Sequence, residues 1–448
     1  MNAFGAVARP FARAARLPLL APLLGRDFRL VWFGEGVSLL GDQFHLIALS
    51  WLVLDMTGSG LALGSILIAG SIPRGVFMLF GGVLSDRFSP RDLALVSNVT
   101  RCVLTTVVAA LVLGVRIELW QLAAVGVAFG TVDAVFLPAI NTLVPRLVPP
   151  THLAAANAVM QGTAQLTGTV GPAVAGFAVA LIGVGAAFAF DALTFAVAAV
   201  SLWLVRSGGR PGRASEPVSD PAAEAPMPDA PVTTPTDPAI TRTDGIARQS
   251  LLRALVAGAH EILGDPVMRS IVIVSTAANL AFTGQLVVGL PWLVLVHFGA
   301  DASALGLLYA AWGAGSVGGV LAAGSLKRPR RFGSVVIGLL SAMGIGLAAI
   351  GLAPSLALIG VIALGLGATN GYINVVVIAW VQGRTDPAML GRTMSFLMLG
   401  SVVAAPLSLA IAAVVVDTHA TALFIGAGLL LVASGGIAFA SGLQRKMV

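Results

Sequence analysis

The sequence predicts an all-α membrane protein: twelve transmembrane helices in two six-helix bundles related by pseudo-twofold symmetry. Three observations carry this expectation. Twelve long apolar stretches run from about Leu30 to Leu443. Basic residues collect in alternate connections between them. The second half of the chain also repeats the first at an offset of 237 residues.

The 448 residues are 57% hydrophobic and only 10% charged, where a soluble protein carries roughly 25%. Twelve spans of about 20 residues each fill about half the chain. They are expected near 30–54, 62–84, 93–114, 119–143, 155–179, 185–205, 270–296, 303–326, 333–352, 356–381, 393–416 and 420–443. Lipid offers no partner for a free backbone N–H or C=O, so each must be helical.

Arg116 is the basic residue of the odd-numbered connections. The even-numbered ones hold Arg87, Arg91, Arg146, Lys327, Arg328, Arg330, Arg331, Arg384 and Arg392. This bias places both termini in the cytoplasm and the chain in the cell membrane as a multi-pass protein. It also accounts for the net charge of +6 and the pI of 10.6, so no nucleic-acid partner is expected. The lone cysteine, Cys102, gives no disulfide or zinc framework.

Residues 1–28 read as a cytoplasmic N-terminal tail. Arg9, Arg13 and Arg16 precede LPLLAPLL, but Pro18 and Pro22 break that run and no small-residue cleavage site follows. Residues 29–205 form the first bundle, 266–443 the second, and 444–448 a cytoplasmic tail. The intervening 206–265 is rich in Pro, Ala and acids, without apolar periodicity, and is expected to be a disordered cytoplasmic linker.

The repeat is specific. GGVL at Gly81–Leu84 recurs at Gly318–Leu321. LVPRLVPPTHLAAANA (Leu143–Ala158) lies over WVQGRTDPAMLGRTMS (Trp380–Ser395). A direct six-plus-six repeat gives two bundles of like orientation, with the substrate path between them.

Charged residues inside the spans are confined to the first half: Glu35, Asp42, Arg74, Arg101, Asp133 and Asp191. A charge at membrane depth costs at least several kcal/mol and marks function or an ion pair. At about 1.5 Å per helical residue, Asp42, Arg74, Arg101 and Asp133 share a layer near the midplane. Asp42 has His45 at i+3 and Glu35 seven residues earlier on one helix face. Two readings stay open: proton carriage by Asp42 and Asp133, with Glu35 and His45 as lesser candidates, or static pairing with Arg74. Asp191 reads as a structural hydrogen-bonding group near a helix end.

Polar positions suggest a cavity lining: Gln161 and Gln165, Asn279 and Gln285, Asn370 and Asn374, with Phe44, Trp292, Tyr372 and Trp380 as aromatic surface. No phosphate loop, metal-ligand cluster or nucleophile–base motif is present, so neither an enzyme nor a cofactor is expected.

Two motifs resemble the major facilitator superfamily, over nearly the whole chain except the N-tail and linker. Between spans two and three the superfamily pattern G-x-x-x-D-[RK]-x-G-R-[RK] is met at Gly82, Asp86, Arg87 and Arg91, with Ser89 and Pro90 departing from it. The second-half copy has Ala323 and Gly324 where Asp86 and Arg87 stand. In span five Gly162, Gly171, Pro172 and Gly176 match the exporter pattern G-x8-G-P-x-x-G-G, with Ala175 for one glycine.

The stretches LLGDQF, FLPAINTLVPRLVPPTHLAAANA and GPAVAG look most like the branch containing macrolide-efflux and enterobactin-export proteins. The span-four arginine of many drug antiporters is absent. The resemblance implies spans one and four beside a central cavity and span three outside it, and on that basis Asp42, Arg74 and Asp133 are expected near the cavity. Arg101 is therefore expected to be a structural partner, with Glu35 as one candidate.

The resemblance also implies a cytoplasmic latch at Asp86 and a seal between the halves at span five. The expected function is alternating-access secondary transport, as proton-coupled export of an amphiphilic small molecule by a monomer. The alternatives are uptake or uncoupled facilitation, or, in another class, a transporter-like receptor or scaffold.

Overall fold

The computed structural model describes residues 18–114, 116–206, 266–326, 332–384 and 390–440. Linker residues 207–265 and both chain ends, 1–17 and 441–448, lie outside the described residues. Within them the first half holds α1 (Arg26–Thr57), α2 (Gly60–Arg87), α3 (Pro90–Leu113), α4 (Leu119–Leu147), α5 (Leu153–Ile182) and α6 (Val184–Trp203). The second holds α7 (266–297), α8 (Ala302–Ser325), α9 (Phe332–Ile350), α10 (Leu356–Arg384), and then one helical run, Leu390–Ala440. That run breaks at His419, whose φ of −141° and ψ of 52° are not helical, giving α11 (390–418) and α12 (420–440). Twelve membrane-length helices thus match the expected spans.

Most helices extend beyond their apolar windows, α1 by four residues at its start. Hydropathy marks only the hydrocarbon-facing part, whereas the backbone stays helical into the interface. Part of the expected N-terminal tail is also packed. Pro18–Leu24 is a 3-10 turn, and Leu23 and Phe28 join a buried cluster with Val31, Leu143 and Leu202.

Each half packs in the same way. In the first, α1 lies on α5 and α6, α2 on α4, and α3 on α4 and α6. In the second, α8 and α9 lie on α10, while α7 and α9 pack on the 390–440 run. Glycine permits the closest crossings. A Cβ at Gly130 of α4 would run into the Gly70 carbonyl of α2, and one at Gly367 of α10 into the Trp312 carbonyl of α8. These two glycines are repeat partners, so the repeated sequence encodes a repeated helix crossing.

Call the face with the α1–α2, α3–α4 and α5–α6 connections distal and the opposite one proximal. At the proximal face two arginines add side-chain donors to the last carbonyls of α6, where the helix runs out of regular N–H partners. Arg91 donates to the Leu202 and Trp203 carbonyls at 3.0 and 2.6 Å, and Arg26 to Leu204 at 3.1 Å.

The halves meet along two seams. In one, α5 lies on α8: Gly176 faces Ala302 and Gly306, and Thr169 faces Gly313. In the other, α2 lies on α11: Gly64 faces Ala413 and Gly60 faces Val416. Gly176 and Ala413 are repeat partners, so the seams are related by the pseudo-symmetry. Both reach the distal face.

A Gly130→Leu change should lower stability by about 1–3 kcal/mol through overpacking against a backbone that cannot retreat. Gly162→Leu is the control, because a Cβ there meets nothing within 4 Å. The expected outcome is a lower detergent melting temperature for the first variant and none of that loss for the second.

Candidate functional site

The buried charges of the first half converge as two groups. Asp133 of α4 is shared by two arginines: Arg74 Nε of α2 lies 2.9 Å from Oδ2, and Arg101 Nη2 of α3 pairs with Oδ1. The two arginines differ in surroundings. Arg101 is buried, and its guanidinium lies 4.2 Å from the Phe136 ring centroid, with Phe129 and Phe195 at 5.5 and 5.6 Å. Arg74 has a 55% exposed side chain. A cation exposed at membrane depth is tolerated where water reaches it, so Arg74 marks the wet side of the pair and Arg101 the dry side.

The second group joins α1 to α6. Glycines at 34 and 41 of α1 let the helices touch: a Cβ at Gly34 would meet Ser201 Cβ at 2.8 Å, and one at Gly41 would meet Asp191 Oδ1 at 2.5 Å. That approach brings His45 Nδ1 to 3.0 Å from Asp191 Oδ2. Asp191 is fully buried, and His45 is stacked on Phe129 and edge-on to Phe188. Phe129 thus contacts both Arg101 and His45 and bridges the two groups.

Glu35 and Asp42 of α1 are partly exposed. Among the described residues neither has an ion-pair partner within 4 Å or a side-chain hydrogen bond. Glu35 lies within electrostatic range of Asp42, Arg101 and Asp133, and Asp42 within that of Arg101, Asp191, Asp133 and His45.

Several expectations shift. Arg101 pairs with Asp133, not Glu35, because the Asp133 carboxylate on α4 is what α3 packs against. Arg74 also pairs with Asp133, and among the described residues Asp42 has no ion pair. Asp191 has the hydrogen bond expected of it, but its partner is His45, so the two sit in one unit. Arg91 holds the end of α6, while the side chains of Gly82, Asp86 and Arg87 lie outside the described residues.

Gln161, Gln165 and Asn374 are exposed and Asn370 is partly so, as a cavity lining requires; Gln165 Nε2 reaches Ser316 Oγ at 3.4 Å across the α5–α8 seam. Asn279 is turned to its own helix, donating to the Ser275 carbonyl at 2.9 Å. Gln285 is buried rather than lining a cavity. It opens a π-helical turn, Gln285–Gly289, and such a turn holds an extra residue and rotates the side-chain register. Phe44 and Trp380 are likewise buried.

Sequence reasoning missed the way α7 is held. Pro291 has no N–H to close the wide turn onto Leu286. Tyr309 of α8 donates its hydroxyl to that carbonyl instead, at 2.6 Å. Ser408 of α11 accepts from Gly284 N–H at 2.7 Å and donates to the Leu280 carbonyl at 2.6 Å. Asn98 and Thr105, on the buried face of α3 with Arg101, were missed too; their polar side-chain atoms find no partner among the described residues. The α5 motif does two jobs: Gly171 packs on Gln43 of α1, and Pro172 and Gly176 contact Gly306 of α8.

The chain belongs to the major facilitator superfamily, whose pattern matches residues 31–408. It is a multi-pass membrane secondary transporter rather than an enzyme. It is similar to an uncharacterised transporter of this type from Sinorhizobium fredii, 28% identical over 88% of this chain and 89% of that one. It is 25% identical to Macrolide efflux protein A of Streptococcus pyogenes over 40% of this chain and 44% of that one. It is 23% identical to Multidrug efflux pump Tap of Mycolicibacterium fortuitum over 90% of this chain and 93% of that one. The fold is shared with the crystal structure of the POT family transporter PepTSo, at a TM-score of 0.66 and 14% identity over 94% of this chain and 98% of that one.

Breaking a buried pair costs roughly 3–5 kcal/mol, and an exposed one about 1 or less. Arg101→Met should therefore lower the detergent melting temperature well below that of Arg74→Met, measured side by side. Equal losses would show that Arg74 is not on the wet side.

Proposed function

We propose that this transporter couples export of an amphiphilic small molecule to proton entry. The observation that carries this reading is the pair of helix-one carboxyls, Glu35 and Asp42. They lie at membrane depth beside the Arg74–Asp133–Arg101 group, and among the described residues neither has a cation within ion-pair distance. An unpaired ion there costs several kcal/mol, and taking up a proton removes that cost. Such a carboxyl suits a proton carrier. Asp133, held between a wet and a dry arginine, supplies the site with a partner whose pairing can change as Arg74 moves.

Export is supported by the names of the macrolide and multidrug relatives and by the glycines of α5. An amphiphilic substrate is supported by the lining: amides at Gln161, Gln165, Asn370 and Asn374, and no charged side chain inside the spans of the second half to clamp a polyanion. The basic connections of the proximal face support a cytoplasmic placement of that face and of both termini. The proposed partners are thus the substrate, protons and the bilayer, and the working unit is a monomer.

Two measurements test this. Purified protein in liposomes with an imposed pH gradient should accumulate a fluorescent amphiphile. Asp42→Asn should cut that accumulation at least about tenfold while downhill exchange persists and the melting temperature holds; unchanged accumulation would remove Asp42 from the coupling role. For orientation, a Cys102→Ser background carrying Arg116→Cys should react with an impermeant maleimide added to intact cells, and one carrying Arg384→Cys should not. The reverse pattern would invert the topology.

A further inference from the structure

The α2–α11 seam ends in an interaction of a different kind from the rest. α2 begins at Gly60 with no acidic residue in its first turn. Its free N-terminal N–H groups are met by a carboxylate from the other half of the molecule. Asp417, at the distal end of α11, accepts from Gly60 N–H at 2.6 Å on Oδ1 and from Leu61 N–H at 3.2 Å on Oδ2. The Ser59 hydroxyl also donates to Oδ2 at 2.6 Å, and the same hydroxyl oxygen accepts from Ala62 N–H at 3.4 Å.

The fit is tight. A Cβ on Gly60 would meet Asp417 Oδ1 at 3.1 Å and Trp292 Cδ1 at 3.4 Å, and would collide with Val416.

The repeat supplies an internal contrast. α8 stands in the second half where α2 stands in the first, and it caps itself. Asp301, its own N-cap, accepts from Ala304 N–H at 3.1 Å and from the Ser303 hydroxyl at 2.6 Å. Those bonds, Ser303 first, hold the Asp301 carboxyl below the ordinary carboxylate range. A self-cap is indifferent to how the halves sit. A cap lent across the seam exists only while the distal ends of α2 and α11 touch.

We propose that Asp417 is the distal gate residue of the transport cycle: its carboxylate, bound to the N-terminus of α2, holds the distal face closed and must let go when that face opens. The chemistry suits a gate. An anion at a helix N-terminus is favoured by the aligned peptide dipoles and by charge-assisted hydrogen bonds. Asp417 is exposed, so water can replace each bond as it breaks. The hold is therefore reversible, and its release favours the open state without unfolding either half.

The test reads conformation and needs neither substrate nor a proton gradient, so its outcome is separate from that of the proposed coupling. Full-length protein with Cys102→Ser, Arg116→Cys and Ser355→Cys carries a spin label on the distal face of each half, and the inter-label distance distribution is measured in lipid nanodiscs. Asp417→Ala should raise the ratio of distal-open to distal-closed molecules about three- to tenfold. Asp417→Asn, which keeps the shape and loses the charge, should do so to a smaller extent, and it serves alone if the alanine variant does not fold.

Adding Ser59→Asp to Asp417→Ala replaces the neutral Ser59 hydroxyl, which now caps Ala62 N–H, with a charged cap from α2's own segment. The gate requires that this restores the melting temperature but leaves the distal face open. A closed distribution in the Asp417 variants would overturn the proposal. So would a return to closure on adding Ser59→Asp, because Asp417 would then be only a helix cap.

Discussion

The structure is organised by one constraint: an ion inside a bilayer must be surrounded by protein or water. The first half meets it by folding its charges inward, onto α1, α3, α4 and α6. Arg101 shows how this is done. Its guanidinium lies against aromatic faces on one side and a carboxylate on the other, so it is both paired and screened from lipid. Removing either partner alone would leave an uncompensated charge inside the bundle. The same group therefore ties α2, α3 and α4 together at one carboxylate.

The second half meets the constraint by having no such charges in its spans. Its polar work falls to hydroxyls and amides. Ser408 and Tyr309 satisfy carbonyls that Pro291 and the wide turns of α7 release, and this lets α7 depart from regular helix geometry at low cost. The two halves thus share one packing scheme and differ in chemistry. The first carries titratable groups inside its spans and the second carries a helix with two π-helical turns. The charged body and the uncharged one meet along glycine-lined seams.

Among the described residues those seams contain few specific bonds. Close backbone contacts at Gly176, Gly306 and Gly64 give shape, and Asp417 adds a polar closure at one end. Contacts of this sort exclude lipid and water while binding weakly enough to exchange. A deep apolar interface would fix the halves in one arrangement. The small residues of α5 and α8 keep the area of side-chain interlock low.

By itself the sequence determined the number and the order of the helices, the two-bundle repeat and the half that carries charge. Each of these is local: hydropathy over 20 residues, periodicity and loop composition are properties of contiguous chain. It also singled out Asp42, Asp133, Arg74, Arg101 and Asp191, because an ion in an apolar run is conspicuous wherever it falls. Only the tertiary structure decided how those ions are matched. Depth along a helix axis was readable from residue counts, but azimuth and neighbour were not. That is why Arg101 was expected beside Glu35 and lies beside Asp133, and why His45 and Asp191 stood apart in sequence and share a hydrogen bond. The π turn that buries Gln285 and the reach of Asp417 across 357 residues to Gly60 were hidden for the same reason. A hydrogen bond between distant segments leaves no periodic signal in either of them.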